Sequence, residues 1–169
     1  MGVATRRCLR ATGEERDMVN HSNVRTPRDL QGLLDEAERL CNTRRGNLTP
    51  LRRQVLSMLL EMDRPAKAYD LLQRLKEDGG AKPPTIYRAL DFLLEMGLVH
   101  RIESLQAFVP CGHWTHGHTA MFLICGSCGS VSELNGGESA RKLGKEAQLV
   151  NFKPRATLIE VRGTCAACR

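Results

Sequence analysis

Two cysteine pairs, Cys125-Gly-Ser-Cys128 and Cys165-Ala-Ala-Cys168, carry the strongest chemical signal in this chain. Two residues between paired cysteines let both sulfurs reach one ion, and two such pairs complete a tetrahedral shell of four thiolates, which suits Zn(II). That shell leaves no open position, so its task is structural and it ties the C-terminal end back to the start of its domain. For a small domain the metal then supplies a large share of stability, on the order of 10 kcal/mol. Gly129, directly after the first pair, lets backbone amides turn toward the sulfurs. A thioredoxin-like redox reading calls for one such pair at a helix N-terminus, and two spaced pairs favour zinc.

A second donor set is mixed. Four of the five histidines fall between residues 100 and 118. A turn at 104–106 sets His100 roughly opposite Pro110 and beside Cys111. His118 follows in a polar stretch, and Glu133 lies just past the first cysteine pair. Two imidazoles, one thiolate and one carboxylate could complete a tetrahedron, and the single soft ligand favours Zn(II) over Fe(II) or Mn(II). His113 and His116 could substitute for His118. A histidine on a strand is often only a polar residue, and Cys111 could be a small buried hydrophobe. With these donors assigned to closed shells, no further general base stands out, so catalysis is not expected.

The elements that position these groups are legible from periodicity. Leu30, Leu33, Leu34, Ala37, Leu40 and Cys41 form one helical stripe behind a candidate cap at Asp29. Thr49-Pro50 opens a second helix, with Leu51, Val55, Leu56, Met58, Leu59 and Met62 as its apolar positions. A third runs from about Pro65 to Asp78 and ends at Gly79-Gly80. A fourth follows Pro83-Pro84 and ends near Glu95. In it Ile86, Ala89, Leu90, Leu93 and Leu94 bury one face, leaving Thr85, Tyr87, Arg88 and Asp91 outward near the N-terminal end. A recognition helix presents such residues to base edges and phosphates. Two strand-like runs, 98–103 and 107–111, complete a winged helix-turn-helix pattern. After the connector come a strand (120–125), a cysteine turn, a strand (131–134), a helix (138–149), a strand (155–162) and the second cysteine turn.

The expected organisation is therefore α+β. It comprises a flexible N-terminal arm (1–28), a winged-helix DNA-binding domain (29–111), a connector (112–119) and a small α/β dimerisation and metal-binding domain (120–169). The formal net charge of +6 makes a polyanionic partner possible. It does not argue for one in the winged region, since residues 29–111 hold twelve bases and twelve acids. No apolar run is long enough for a membrane span. Without a secretory h-region, the seven cysteines point to the reducing cytosol and to metal chemistry.

The stretch from Ala81 to His100, Ala-Lys-Pro-Pro-Thr-Ile-Tyr-Arg-Ala-Leu-Asp-Phe-Leu-Leu-Glu-Met-Gly-Leu-Val-His, resembles the recognition helix and wing entry of the ferric-uptake-regulator family. Leu48-Thr-Pro-Leu-Arg-Arg53 and Ala68-Tyr-Asp-Leu-Leu72 are similar to the same family. Cys111, His118 and both cysteine pairs make the chain most similar to its zinc-sensing members. The resemblance implies a homodimeric repressor of zinc-uptake genes that binds double-stranded operator DNA, with no small organic substrate. It implies two Zn(II) per subunit, one structural at Cys125, Cys128, Cys165 and Cys168 and one sensory at His100, Cys111, His118 and Glu133. It also implies DNA contacts from Tyr69 and from the fourth helix, above all Tyr87 and Arg88. A sibling sensor of iron, manganese, nickel or peroxide is one alternative. A zinc-stapled protein-interaction module without DNA contact is another.

Overall fold

The structure is a computed structural model that describes residues 18–20, 27–62, 64–77, 82–114, 119–155 and 157–169. Two compact units divide the chain. One falls within Asn23–Gly117, and the described residues of the other fall within Met1–Ser22 and His118–Arg169.

The first unit is built from α1 (Pro27–Thr43), α2 (Pro50–Glu61), α3 (Ala68–Glu77), α4 (Pro83–Glu95) and a hairpin of β2 (Val99–Ile102) and β3 (Ala107–Pro110). Helix α1 starts two residues before Asp29, which lies in its first turn, where a carboxylate favours the helix dipole. Helix α2 begins at Pro50 behind Thr49. Helix α3 begins at Ala68, later than its apolar pattern predicts. Asp70 reaches back to the Lys67 amide at 3.2 Å and caps the first turn, while Ala66 is drawn into a bridge with Phe108. The Gly79-Gly80 stop lies outside the described residues.

Leu34, Ala37 and Cys41 of α1 are buried, with Leu30, Leu33 and Leu40 packed partly against them. Val55, Leu56 and Leu59 of α2, Leu71 of α3 and Ile86, Leu90 and Leu93 of α4 fill the centre of this core. Trp114 lies in the stretch read as a polar connector, yet it is buried and joins the same core.

The hairpin pairs Val99 with Pro110, His100 with Val109 and Ile102 with Ala107. This is one residue away from the register that a 104–106 turn predicts. A 3-10 turn at Glu103–Leu105 and a left-handed Gln106 (φ 50) make the reversal four residues long. Gln106 Nε2 donates to the Glu103 carbonyl at 2.8 Å and holds that turn.

The second unit is a four-stranded sheet in the order β1-β5-β4-β6, with β1 at Met18–Asn20, β4 at Ala120–Cys125, β5 at Val131–Asn135 and β6 at Ile159–Gly163. Helix α5 (Gly137–Leu149) connects β5 to β6. Strands β4 and β5 are antiparallel, whereas β4 and β6 run parallel. Residues 1–28 are expected to form an arm without an element, but Met18–Asn20 pairs with Leu134, Glu133 and Ser132 of β5. Phe122, Ile124 and Val131 are buried on this sheet, and no residue of α5 is.

Candidate metal centre and nucleic-acid face

The parallel pairing of β4 and β6 explains how two distant cysteine pairs meet. Cys125 ends β4 and stands opposite Gly163, the last residue of β6. Both strands therefore deliver their following turns to the same end of the sheet. The first turn closes through the Gly129 amide donating to the Cys125 carbonyl at 2.9 Å, and Gly129 takes the left-handed φ of 71 that this tight return requires. The second is a 3-10 turn at Ala166–Cys168.

All four sulfurs lie within 4.8 Å of one another. Cys128 Sγ and Cys165 Sγ are 3.8 Å apart. Zn–S bonds of about 2.3 Å give a tetrahedron with an edge of about 3.75 Å, whereas a disulfide would bring sulfurs to about 2.05 Å. The donor set and its spacing thus fit a closed Zn(II) shell.

The surroundings favour thiolate. The Cys165 amide donates to Cys125 Sγ at 3.4 Å. Together with the Cys128 and Ser127 amides it brings the Cys125 thiol down to about 6. Ser130 Oγ, 3.2 Å from Cys128 Sγ, lowers that thiol as well. Cys168 goes the other way. Hydrogen bonds with the sulfurs of Cys165 and Cys128 push it up to about 12. A divalent cation reverses that resistance, because it neutralises thiolates that otherwise repel one another. Ser130 escaped the sequence reading, its only signal being the Gly-Ser that follows Cys128.

The second donor set divides between the units. In the winged unit, His100 and Cys111 bring their donor atoms within 4.8 Å of each other. The observed register accounts for this. His100 pairs with Val109, so Cys111, two residues on, emerges on the same face of the hairpin. Cys111 is buried, and its sulfur accepts a hydrogen bond from the His113 amide at 3.3 Å. Glu133 belongs to the other unit. It sits on β5 between Val19 and Phe122 and is the one fully buried charged side chain among the described residues. His116 and His118 lie outside the described residues.

On α4, Ile86, Ala89, Leu90 and Leu93 are buried, as is Phe92, which the apolar pattern did not assign. Leu94 is only partly buried. Tyr87 (56% exposed) and Arg88 point outward, with Thr85 half-buried at the start of the helix. Tyr69, 64% exposed, stands on α3. These four side chains offer two phenols, a guanidinium and a hydroxyl, a set able to contact phosphate oxygens and base edges.

The profile of the Ferric uptake regulator family matches residues 45–162, more than half of the chain. The chain belongs to that family. It is 43% identical over 140 residues to the zinc uptake regulation protein of Escherichia coli strain K12, covering 82% of each sequence. It is 31% identical over 122 residues to the zinc uptake regulation protein of Mycobacterium tuberculosis, covering 69% of this chain and 91% of that one. A solved zinc uptake regulator complexed with zinc and DNA superposes with a TM-score of 0.79 at 42% identity, covering 85% of this chain and 96% of that chain.

Proposed function

We propose that this chain is a zinc-responsive transcriptional repressor that binds palindromic operators of zinc-uptake genes as a cytoplasmic homodimer. The observation that carries the reading is the likeness, at 42% identity over nearly the whole of its partner in the comparison, to a zinc uptake regulator complexed with zinc and DNA. Family membership supports a regulator rather than an enzyme. No described helix is long and apolar enough to cross a membrane.

Each subunit holds two Zn(II). One is structural, bound by Cys125, Cys128, Cys165 and Cys168. The other is regulatory, bound by His100, Cys111, His118 and Glu133. Bound zinc supplies a charge centre that draws donors together and needs no redox change. His100 and Cys111 lie in the winged unit, while Glu133 lies on β5 of the sheet unit. A donor set shared in this way makes the relative orientation of the units depend on free zinc.

In a dimer that orientation sets the spacing of two α4 helices, which must match half-sites about 34 Å apart on one face of the duplex. Thr85, Tyr87 and Arg88 of α4, with Tyr69 of α3, contact the DNA. A near-complete switch between competent and incompetent arrangements takes about 5.5 kcal/mol of differential binding, which two regulatory sites per dimer share. The dimer reading is supported by the sheet unit's uncovered apolar side chains. Leu143, Leu149, Val150, Phe152, Leu158 and Val161 are all exposed. Apolar side chains left exposed in this way suit an association face, and a second copy of the chain provides a symmetric cover.

The test is operator binding alongside zinc per chain across a buffered zinc series. The reading predicts half-maximal binding at very low free zinc, coincident with loading of the second ion. Equal operator affinity with the exchangeable ion present and stripped overturns it.

A further inference from the structure

We propose that Arg44, Gly46 and Arg52 form an anchor that sets the tilt of α4, so that they govern operator affinity without touching DNA. The proposal rests on the DNA-binding reading above. The segment between α1 and α2 packs on the C-terminal end of α4, opposite the end that carries Thr85, Tyr87 and Arg88. Arg45 takes a left-handed φ of 58, and the Gly46 amide donates to the Cys41 carbonyl at 2.8 Å, which turns the chain sharply out of α1.

Three contacts then fix α4. The Arg44 guanidinium donates to the Met96 carbonyl, one of the acceptors that a helix end leaves without an intrahelical donor. Its positive charge also lies at the negative end of the helix dipole. The Arg52 guanidinium stacks on the Phe92 ring, 3.6 Å from the centroid, and its Nη1 donates to the Asn47 carbonyl at 2.6 Å. Phe92 is only 9% exposed, so this cation covers a ring that is otherwise part of the core. Gly46 fits against the same corner. A Cβ there would stand 2.8 Å from Met96 Sδ and 3.2 Å from the Phe92 ring. A larger residue must displace one or both.

Arg52 is thereby committed to an aromatic face and a carbonyl, rather than projecting as a free phosphate ligand. Seven residues separate Phe92 from Thr85, about 10 Å along the helix axis. Pivoting α4 by roughly 5° at the anchor moves Thr85 by about 0.9 Å, more than the roughly 0.5 Å tolerance of a preorganised polar contact. Base-edge contacts suffer most from such a shift. Phosphate contacts made by long, flexible side chains adapt.

The experiment uses full-length, zinc-loaded protein and three variants: Arg52→Gln, Arg52→Lys and the charge-neutral Gly46→Ala. Folded fraction and zinc content are checked at the assay temperature. Without DNA, hydrogen exchange of the amides at residues 92–97 should accelerate in Arg52→Gln and Gly46→Ala, and less in Arg52→Lys, which keeps a cation over the ring. With DNA, Arg52→Gln should lower affinity for the specific operator about tenfold, the scale of weakening one base-edge contact. Affinity for unrelated duplex and the salt dependence of binding should stay unchanged. If Arg52 instead bound a phosphate, the log–log salt slope would fall by about one and exchange at 92–97 would not change. That result, or exchange and operator affinity matching the parent protein in Arg52→Gln and Gly46→Ala, overturns the proposal. Should Arg52→Gln fail to fold, Gly46→Ala and Arg52→Lys decide by the same two readouts. The exchange arm involves no DNA, so failure of the anchor is distinguishable from failure of the DNA-binding reading, which shows instead in the parent protein.

Discussion

Cys128→Ser tests whether the four-sulfur cluster holds the sheet unit together. The residues of that unit buried on apolar surface include Phe122, Ile124 and Val131. Each contributes about 1.5–3 kcal/mol by burial. No residue of α5 is buried within the chain, so the helix adds little until a partner covers it. A structural zinc contributes about 10–16 kcal/mol at neutral pH, more than those three side chains combined. The variant keeps the size of residue 128 but replaces a thiolate by a hydroxyl that does not ionise at neutral pH. The hydrogen bond from Ser130 that favoured the thiolate then has no charge to stabilise. The expected outcome is loss of one zinc per chain after dialysis against a mild chelator, and loss of the sheet unit's cooperative thermal transition. The winged unit has its own core around Leu56, Leu59, Leu90 and Leu93 and should keep its helical signal. Zinc release with a colorimetric chelator, scanning calorimetry and far-ultraviolet circular dichroism read the three quantities. A variant with undiminished zinc and a melting temperature within a degree or two of the parent would falsify the structural role of the cluster.

Three further outcomes are expected. Cys111→Ser should abolish zinc-dependent operator binding while leaving a folded protein, read by gel shift and calorimetry; unfolding would make the site structural instead of regulatory. Arg88→Ala should weaken operator binding by about 1–3 kcal/mol if the guanidinium reads a base edge, with zinc content and oligomeric state unchanged; binding equal to the parent removes Arg88 from the interface. Zinc uptake at the cysteine cluster should release protons at pH 7.5. The Cys168 thiol is pushed up to about 12 and stays protonated in the metal-free chain, whereas Cys125, near 6, is already thiolate. Zinc affinity should therefore rise with pH as the thiol's proton becomes easier to remove. Calorimetric titrations in buffers of different ionisation enthalpy measure the count, and an uptake with no proton release contradicts it.

The helical half of the fold was legible because its information is local. Apolar residues at three- and four-residue spacing located α2 and α4 to within a residue or two, and Pro50 and Pro83 mark their starts. Phe92 lies at the edge of the apolar stripe, three residues after Ala89, and is buried in the core with the Arg52 guanidinium over its ring. The strands were less legible because their limits belong to their neighbours. Strand β6 begins at Ile159 instead of Arg155, since β4 pairs with it only from Met121 onward. Strand β1 exists through its pairing with β5, and Met18-Val-Asn20 is too short to show a period of its own.

The two donor sets differ in the same way. A two-residue gap between cysteines fixes within a few ångströms where both sulfurs fall, and parallel β4 and β6 only had to bring two prepared turns to one end of the sheet. The His100–Cys111 pair depends on a cross-strand register, where one residue changes the face of every side chain. With His100 opposite Pro110, Cys111 would emerge on the opposite face of the hairpin. With His100 opposite Val109, as observed, the two donors share a face. Gln106 in a left-handed conformation lengthens the reversal by one residue, and glutamine gives no signal of that. The expected register already set His100 beside Cys111, but one residue away from the pairing observed. The spacing rule that locates thiolates within a turn cannot locate donors placed by a turn between them.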